Sequence, residues 1–128
     1  MSISNVERLA DRHTEPKKWG WEEWIVNNDL YCGKRLHFNV VRGSTSLHFH
    51  VNKHETMYVE EGEFAIDVVD TRDGSFATKR LSKGDSIVIE PYTPHRIVAI
   101  SVPAVLVEFS THHENRDSYR IAIGTEQP

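Results

Sequence analysis

The stretch LHFHVNKHE, residues 47–55, gathers His48, His50, His54 and Glu55 within one short segment. Imidazole and carboxylate donors in combination suit first-row divalent ions. Whether they can meet on one ion depends on the backbone. Two residues apart on an α-helix, His48 and His50 would diverge by about 200°. On a strand they face the same side, roughly 7 Å apart. His95, in EPYTPH at the start of a later apolar run, adds a distant third imidazole. With Glu55 these make a His3Glu set, suited to one Zn, Mn, Fe, Ni or Co ion per chain with room left for a substrate oxygen. His54 competes with Glu55, because adjacent strand residues point to opposite faces and only one can reach the ion.

Strands must therefore carry these residues, and the sequence reads as strands. YCGKRLHFNVVR sets Leu36, Phe38 and Val40 on one parity and Arg35, His37 and Asn39 on the other, the period of a half-buried strand. SLHFHV follows Gly43. ETMYVEEGEFAIDVVD reads as two strands of a hairpin around EEGE, with Gly62 supplying the permissive backbone. Asp73-Gly74 is a two-residue turn signal. KGDSIVIE reads as a turn into a buried strand, and HRIVAI and AVLVEFS as two more. Many short strands between Gly, Asp and Pro turns, without a convincing internal helix, indicate an all-β antiparallel sandwich or barrel.

Composition restricts the function classes. At 128 residues the chain suits one domain, taken as 15–128, preceded by a polar arm or short helix over 1–14. A net charge of −4 without a basic run favours neither nucleic acid nor an anionic membrane as partner. RIVAISVPAVLVEF is interrupted by Pro103 and too short to span a bilayer. The opening has no apolar segment of the kind a secretory signal needs, and the single cysteine, Cys32, has no intrachain partner. A cytoplasmic protein is expected. His13, His112 and His113, near the ends, read as surface residues.

The run Gly43-(4)-His48-x-His50-(4)-Glu55-(6)-Gly62 resembles the first motif of the cupin superfamily, and GDSIVIEPYTPH, residues 84–95, resembles the second. The resemblance implies a small antiparallel cupin barrel (double-stranded β-helix, or jelly roll) with His48, His50, Glu55 and His95 as metal ligands, Glu55 being favoured over His54. The match is not complete. Gly43 lies one residue nearer to His48 than is usual, and Glu90 and Tyr92 stand where the second motif carries proline and glycine.

A finer similarity is to the type II mannose-6-phosphate isomerase cupins, which also form the isomerase-like end of mannose-1-phosphate guanylyltransferases. PKKWGWEEWI followed by LYCGKRLHF is similar to their opening, although Lys18 stands where they carry proline and Pro16 comes earlier. VEFSTHHENRDSYRI, with Asp117 to Arg120, is similar to their ending. This resemblance implies aldose–ketose isomerisation of a sugar or sugar phosphate, with the metal as Lewis acid on carbonyl and hydroxyl oxygens. Proton transfer would fall to His54, Glu63, Glu90 or Tyr92, among which Glu90 stands out beside the third histidine. Lys34, Arg35, Arg42 and Arg96 are candidate phosphate cations, and His37 either lines the cavity or faces solvent. Trp19, Trp21 and Trp24 suit core packing, a homodimer interface or sugar contact. Rival expectations are a ferrous dioxygenase and a non-catalytic sugar- or metal-binding module.

Overall fold

The computed structural model describes residues 6–124. The strands are β1 (His13–Lys17), β2 (Gly20–Asn27), β3 (Cys32–Phe38), β4 (Leu47–His50), β5 (Glu55–Glu61), β6 (Phe64–Asp70), β7 (Ser75–Leu81), β8 (Ser86–Ile89), β9 (His95–Ala99), β10 (Ala104–Ser110) and β11 (Ser118–Ala122). They form two antiparallel sheets, ordered β1-β2-β3-β10-β5-β8 and β11-β4-β9-β6-β7. Among the described residues the only helices are single 3₁₀ turns at Leu9–Asp11 and Asn115–Asp117. The all-β jelly-roll expectation holds, but as two facing sheets rather than a ladder closed into a barrel.

The period-two pattern has its expected cause. On β3, Cys32, Lys34, Leu36 and Phe38 are buried and the residues between them half-buried. The inward face also changes character along its length. At one end Trp19 stacks on Phe38 at 4.1 Å, and Phe38 meets Phe64 edge-on at 5.2 Å. Leu36, Val59, Ile66, Ile97 and Leu106 fill the middle. Towards the other end the same strands turn inward Lys34, Glu55, His95 and Glu108, all buried.

Three local expectations are corrected. Strands β5 and β6 flank EEGE but do not pair: β5 lies between β10 and β8, and β6 between β9 and β7. The Gly62 turn carries the chain from one sheet to the other. Gly62 has φ +78°, and an added Cβ would sit 2.8 Å from the Ala104 side chain, so only glycine fits. Strand β8 lies at a sheet edge and is buried on one face only: Ile87 and Ile89 pack on the core, and Ser86 and Val88 are exposed. The N-terminal arm ends sooner than expected, since His13 and Thr14 already pair with Trp24 and Glu23 in the β1–β2 hairpin. A helix over NVERLADR is replaced by the Leu9–Asp11 turn, and Asn5 of that segment lies outside the described residues. The Asp73-Gly74 signal does join a hairpin, β6–β7, closed by the pair Asp70 and Ser75.

Among the described residues, two non-glycines have positive φ, Arg42 at 63° and Tyr92 at 65°. Tyr92 occupies the second motif's glycine position, and Arg42 is where the first motif's glycine would stand at the usual spacing. The backbone makes a left-handed turn at both places without a glycine. Both bends are held by backbone hydrogen bonds, from Arg42 N–H to the Ala99 carbonyl (2.8 Å) and from Tyr92 N–H to the His50 carbonyl (2.7 Å).

Candidate metal centre

His48 and His95 are directly opposed across the β4–β9 ladder, and His50 is two residues along β4 on the same face. One ligand atom from each of the three lies within 4.8 Å of the others. Glu55 opens β5 in the facing sheet. Its Oε1 is 3.0 Å from His95 Nε2 and 3.8 Å from His50 Nε2. His54 is exposed and points away.

Each imidazole is oriented from behind. His48 Nδ1–H donates to the Ser46 carbonyl (2.9 Å), His50 Nδ1–H to the Asp117 carbonyl (3.2 Å) and His95 Nδ1–H to the Thr93 carbonyl (2.9 Å). A carbonyl can only accept, so in the neutral imidazole the proton sits on Nδ1 and the lone pair on Nε2. Burial, with neighbouring imidazoles adding, lowers His48 to about 3. Burial and then the Lys53 charge lower His50 to about 4, against an opposing pull from Glu55. Both are neutral donors near pH 7, as metal ligation requires.

Glu55 and His95 are both 1 % exposed. Glu55 Oε1 and His95 Nε2 are buried with no aligned hydrogen-bond partner. Two lone-pair carriers held 3.0 Å apart out of water repel unless a cation or proton lies between them. Burial pushes Glu55 upward, but the Lys53 ammonium and the nearby imidazoles outweigh it and keep the group a carboxylate. Three Nε2 atoms and one carboxylate oxygen therefore fit a divalent ion.

Behind this set lies a buried polar layer. Lys53 Nζ is 3.1 Å from Glu108 Oε2, 3.0 Å from His113 Nδ1 and 3.2 Å from Glu55 Oε2. The Glu55 contact is an ion pair off the hydrogen-bonding direction, since Oε2 has no aligned donor. Burial alone would discharge Lys53, but Glu108 and then Glu55 hold it charged. His113 accepts from Lys53 through Nδ1 and donates from Nε2 to Asn115 Oδ1 at 2.8 Å. Burial and the Lys53 charge lower it to about 4. The Asp117 carboxylate accepts from the backbone N–H of Val51, Asn52 and Lys53. One residue thus fixes the VNK turn with its side chain and aims His50 with its carbonyl.

The cavity over this centre has a volume of about 320 Å³ and includes Lys34 and Arg120 in its lining. The structure places the other sequence candidates elsewhere. Arg35 is on the outer face of β3, bonded to Glu60 at 2.8 and 3.2 Å. Beside it His37 stacks on Trp21 at 3.8 Å. Arg96 faces outward to Asp67, Arg42 is exposed, and Glu63 pairs with Arg80. Glu90 and Tyr92 line a separate outer depression together with Arg72 and Lys79. Of the proposed phosphate cations only Lys34 turns inward, 3.6 Å from Glu22 and 4.1 Å over the Trp24 ring. His113, expected at the surface, is buried at the site.

Sequence reasoning missed Lys53, Glu108 and His113, although a signal existed for Glu108. A charged residue on the apolar parity of a strand faces the interior, as in Lys34-x-Leu36-x-Phe38 or Leu106-x-Glu108. Lys53 and His113 lie in turns, where parity gives no reading.

Two facing antiparallel sheets holding inward histidines and a carboxylate define a jelly-roll protein with the donors of a divalent-metal centre. The sequence matches the Cupin domain over residues 36–110, more than half of the chain, so the protein belongs to the cupin family. A search among curated proteins found no match. Among solved structures, oxalate decarboxylase from Bacillus subtilis aligns at TM-score 0.81 and 18 % identity, over 94 % of this chain and 33 % of that one. The formate complex of the Lactobacillus farciminis oxalate decarboxylase aligns at 0.79 and 17 %, over 94 % and 37 %. CapF with a tropolone inhibitor aligns at 0.76 and 15 %, over 88 % and 34 %. The chain spans about a third of the length of these structures, and the likeness is one of fold. Among the described residues, no helix is long and apolar enough to cross a membrane.

Proposed function

We propose that this cupin binds one divalent metal ion through His48, His50, His95 and Glu55 Oε1 and acts on a small, oxygen-rich dianion. A sugar phosphate undergoing aldose–ketose isomerisation is the first reading. The observation that carries the metal is the convergence of Nε2 lone pairs on an uncompensated carboxylate oxygen. The dianion follows from charge. The cavity lining sets Glu15, Glu22, Glu55 and Glu108 against Lys17, Lys34, Lys53 and Arg120, which cancel. A divalent ion leaves the cavity at about +2, and a phosphate monoester at neutral pH carries about −1.5 to −2.

When bound, the ion supplies Lewis-acid polarisation of substrate oxygens. The chain itself holds the donors in register, shields them from water and offers Glu22 and Lys34 at the cavity wall. Glu22 accepts from Trp24 Nε1 at 3.0 Å and is only partly exposed, so it replaces the outward Glu90 as the carboxylate placed to carry a proton. The charge balance equally favours a small dicarboxylate, and solved neighbours of this fold are oxalate decarboxylases. This is the second reading.

The test is plasma mass spectrometry for metal on untagged protein, then turnover assays on aldose and ketose phosphates and on small dicarboxylates in the loaded form. About one ion per chain with isomerisation supports the first reading, and decarboxylation the second. Oxygen consumption with bound iron would replace both by the oxygenase. Absence of any ion after reconstitution would refute the metal centre. A homodimer remains part of the proposal, checked by light scattering in solution.

A further inference from the structure

The layer behind the ligands has more structure than charge neutrality requires. A buried carboxylate such as Glu108 needs one cation, yet Lys53 stands between Glu108, Glu55 and His113 with all three within 3.2 Å. Two of the ammonium's three donors go to Glu108 and His113, and Glu55 Oε2 stands beside it as an ion pair at 3.2 Å. Its backbone is held as well, since Lys53 N–H donates to Asp117 Oδ2 at 3.1 Å, and Asp117 also orients His50 through its carbonyl. The ammonium touches Oε2 of Glu55, the oxygen turned away from the histidines. Oε1 faces His95 and His50.

Resting on the metal reading above, we infer that Lys53 is a positioning residue that pins Glu55 by Oε2 so that only Oε1 is presented to the ion. The two oxygens of one carboxylate are thereby given different tasks. Without the pin, the Glu55 side chain gains freedom, and the donor set must be ordered each time an ion binds. A cation near a metal site has a second, opposite effect, because its charge repels the ion. Positioning and repulsion therefore predict opposite signs on removal of Lys53, and the sign can be measured.

The experiment is calorimetric titration of Mn²⁺ into metal-stripped full-length protein. Lys53→Met should weaken Mn²⁺ binding by about tenfold or more, the usual effect of losing a residue that supports a ligand. Because Lys53→Met leaves Glu108 buried without its cation, Lys53→Met/Glu108→Gln is titrated beside it, with folding checked by circular dichroism, and should show the same loss. Lys83→Met removes an exposed cation outside the cavity lining, and should leave binding unchanged. Phe64→Leu controls for destabilisation at the apolar end and should keep the wild-type Kd. Unchanged or tighter binding in the folded Lys53 variants overturns the positioning role while leaving the metal centre standing. Failure of both Lys53 variants to fold assigns Lys53 to the scaffold and also overturns it. Failure of the wild type to bind Mn²⁺ or any other divalent ion removes the metal centre and this inference together.

Discussion

The two ends of the space between the sheets are built on the same strands but follow opposite rules. At one end β3, β6 and β10 turn inward Phe38, Phe64 and Ala104, whose burial needs no partner beyond close packing. At the other, β3, β5, β9 and β10 turn inward Lys34, Glu55, His95 and Glu108, and nearly every polar atom there is assigned a partner. The exceptions are both Glu55 oxygens and His95 Nε2. The contrast shows where stability and function are divided. The apolar end holds the sheets together, and the polar end carries Glu55 and His95, whose facing atoms are buried without an aligned partner.

Variants can break that division from either side. His95→Ala should abolish stoichiometric metal binding, read by mass spectrometry, because it removes the ligand that faces both His48 and Glu55. It should leave the metal-free fold intact. Retention of one ion per chain would place the ion elsewhere. Phe64→Ala is the converse. It empties a fully buried ring contacted by Phe38 and should cost about 3–5 kcal/mol in denaturant unfolding. Where that variant stays folded it should still bind the ion. Between the two lies Asp117→Ala, which strips the acceptor from three backbone N–H groups and loosens the VNK turn. A loss on the order of 3 kcal/mol is expected, together with weaker metal binding, since the residue serves both stability and the site.

This division also accounts for what could be read from the sequence. His48, His50 and His95 were legible because one short segment fixed two of them on a face and a turn motif fixed the third. The side of the sheet was harder. Arg35 and His37 share a parity that looked suited to a polar cavity, but in a two-layer fold the cavity lies on the core side, with Leu36 and Phe38. Lys34 was the inward residue. EEGE reads as a hairpin locally, and only the pairing of β5 with β10 and of β6 with β9 sends its two strands to different sheets. Lys53 and His113 meet through a contact sixty residues apart in sequence, which no local pattern encodes.

Acid should weaken the polar end before the apolar one. In the metal-free protein His48 titrates at about 3, His50 at about 4 and His113 at about 4, below the ~6.5 of an unfolded histidine. Below pH 6.5 the unfolded chain binds protons that the folded chain does not, so stability present above that pH is lost as pH falls towards 4. The slope is at most ~1.4 kcal/mol per pH unit for each histidine. Urea midpoints measured between pH 7.5 and 4.5 check it. A flat profile would mean that these imidazoles are not held neutral by burial.

The smallest effect is expected outside the sheets, and it tests whether the interior is the whole of the site. Tyr92 is more than half exposed and adopts φ 65°, a conformation that glycine adopts without steric cost. A left-handed backbone costs an ordinary residue about 1–2 kcal/mol, whereas glycine avoids that cost but loses roughly 0.5–1 kcal/mol in chain entropy. Tyr92→Gly should therefore shift stability by about 0–1.5 kcal/mol, in the stabilising direction, while Tyr92→Val, β-branched at positive φ, should destabilise. Both keep the backbone N–H that bonds the His50 carbonyl. Metal affinity should be unaffected by Tyr92→Gly, and likewise by Glu90→Gln beside it. If either variant changes the Kd for Mn²⁺ in a fully folded protein, the outer depression communicates with the ligands, and the assignment of chemistry to the inward face alone is wrong.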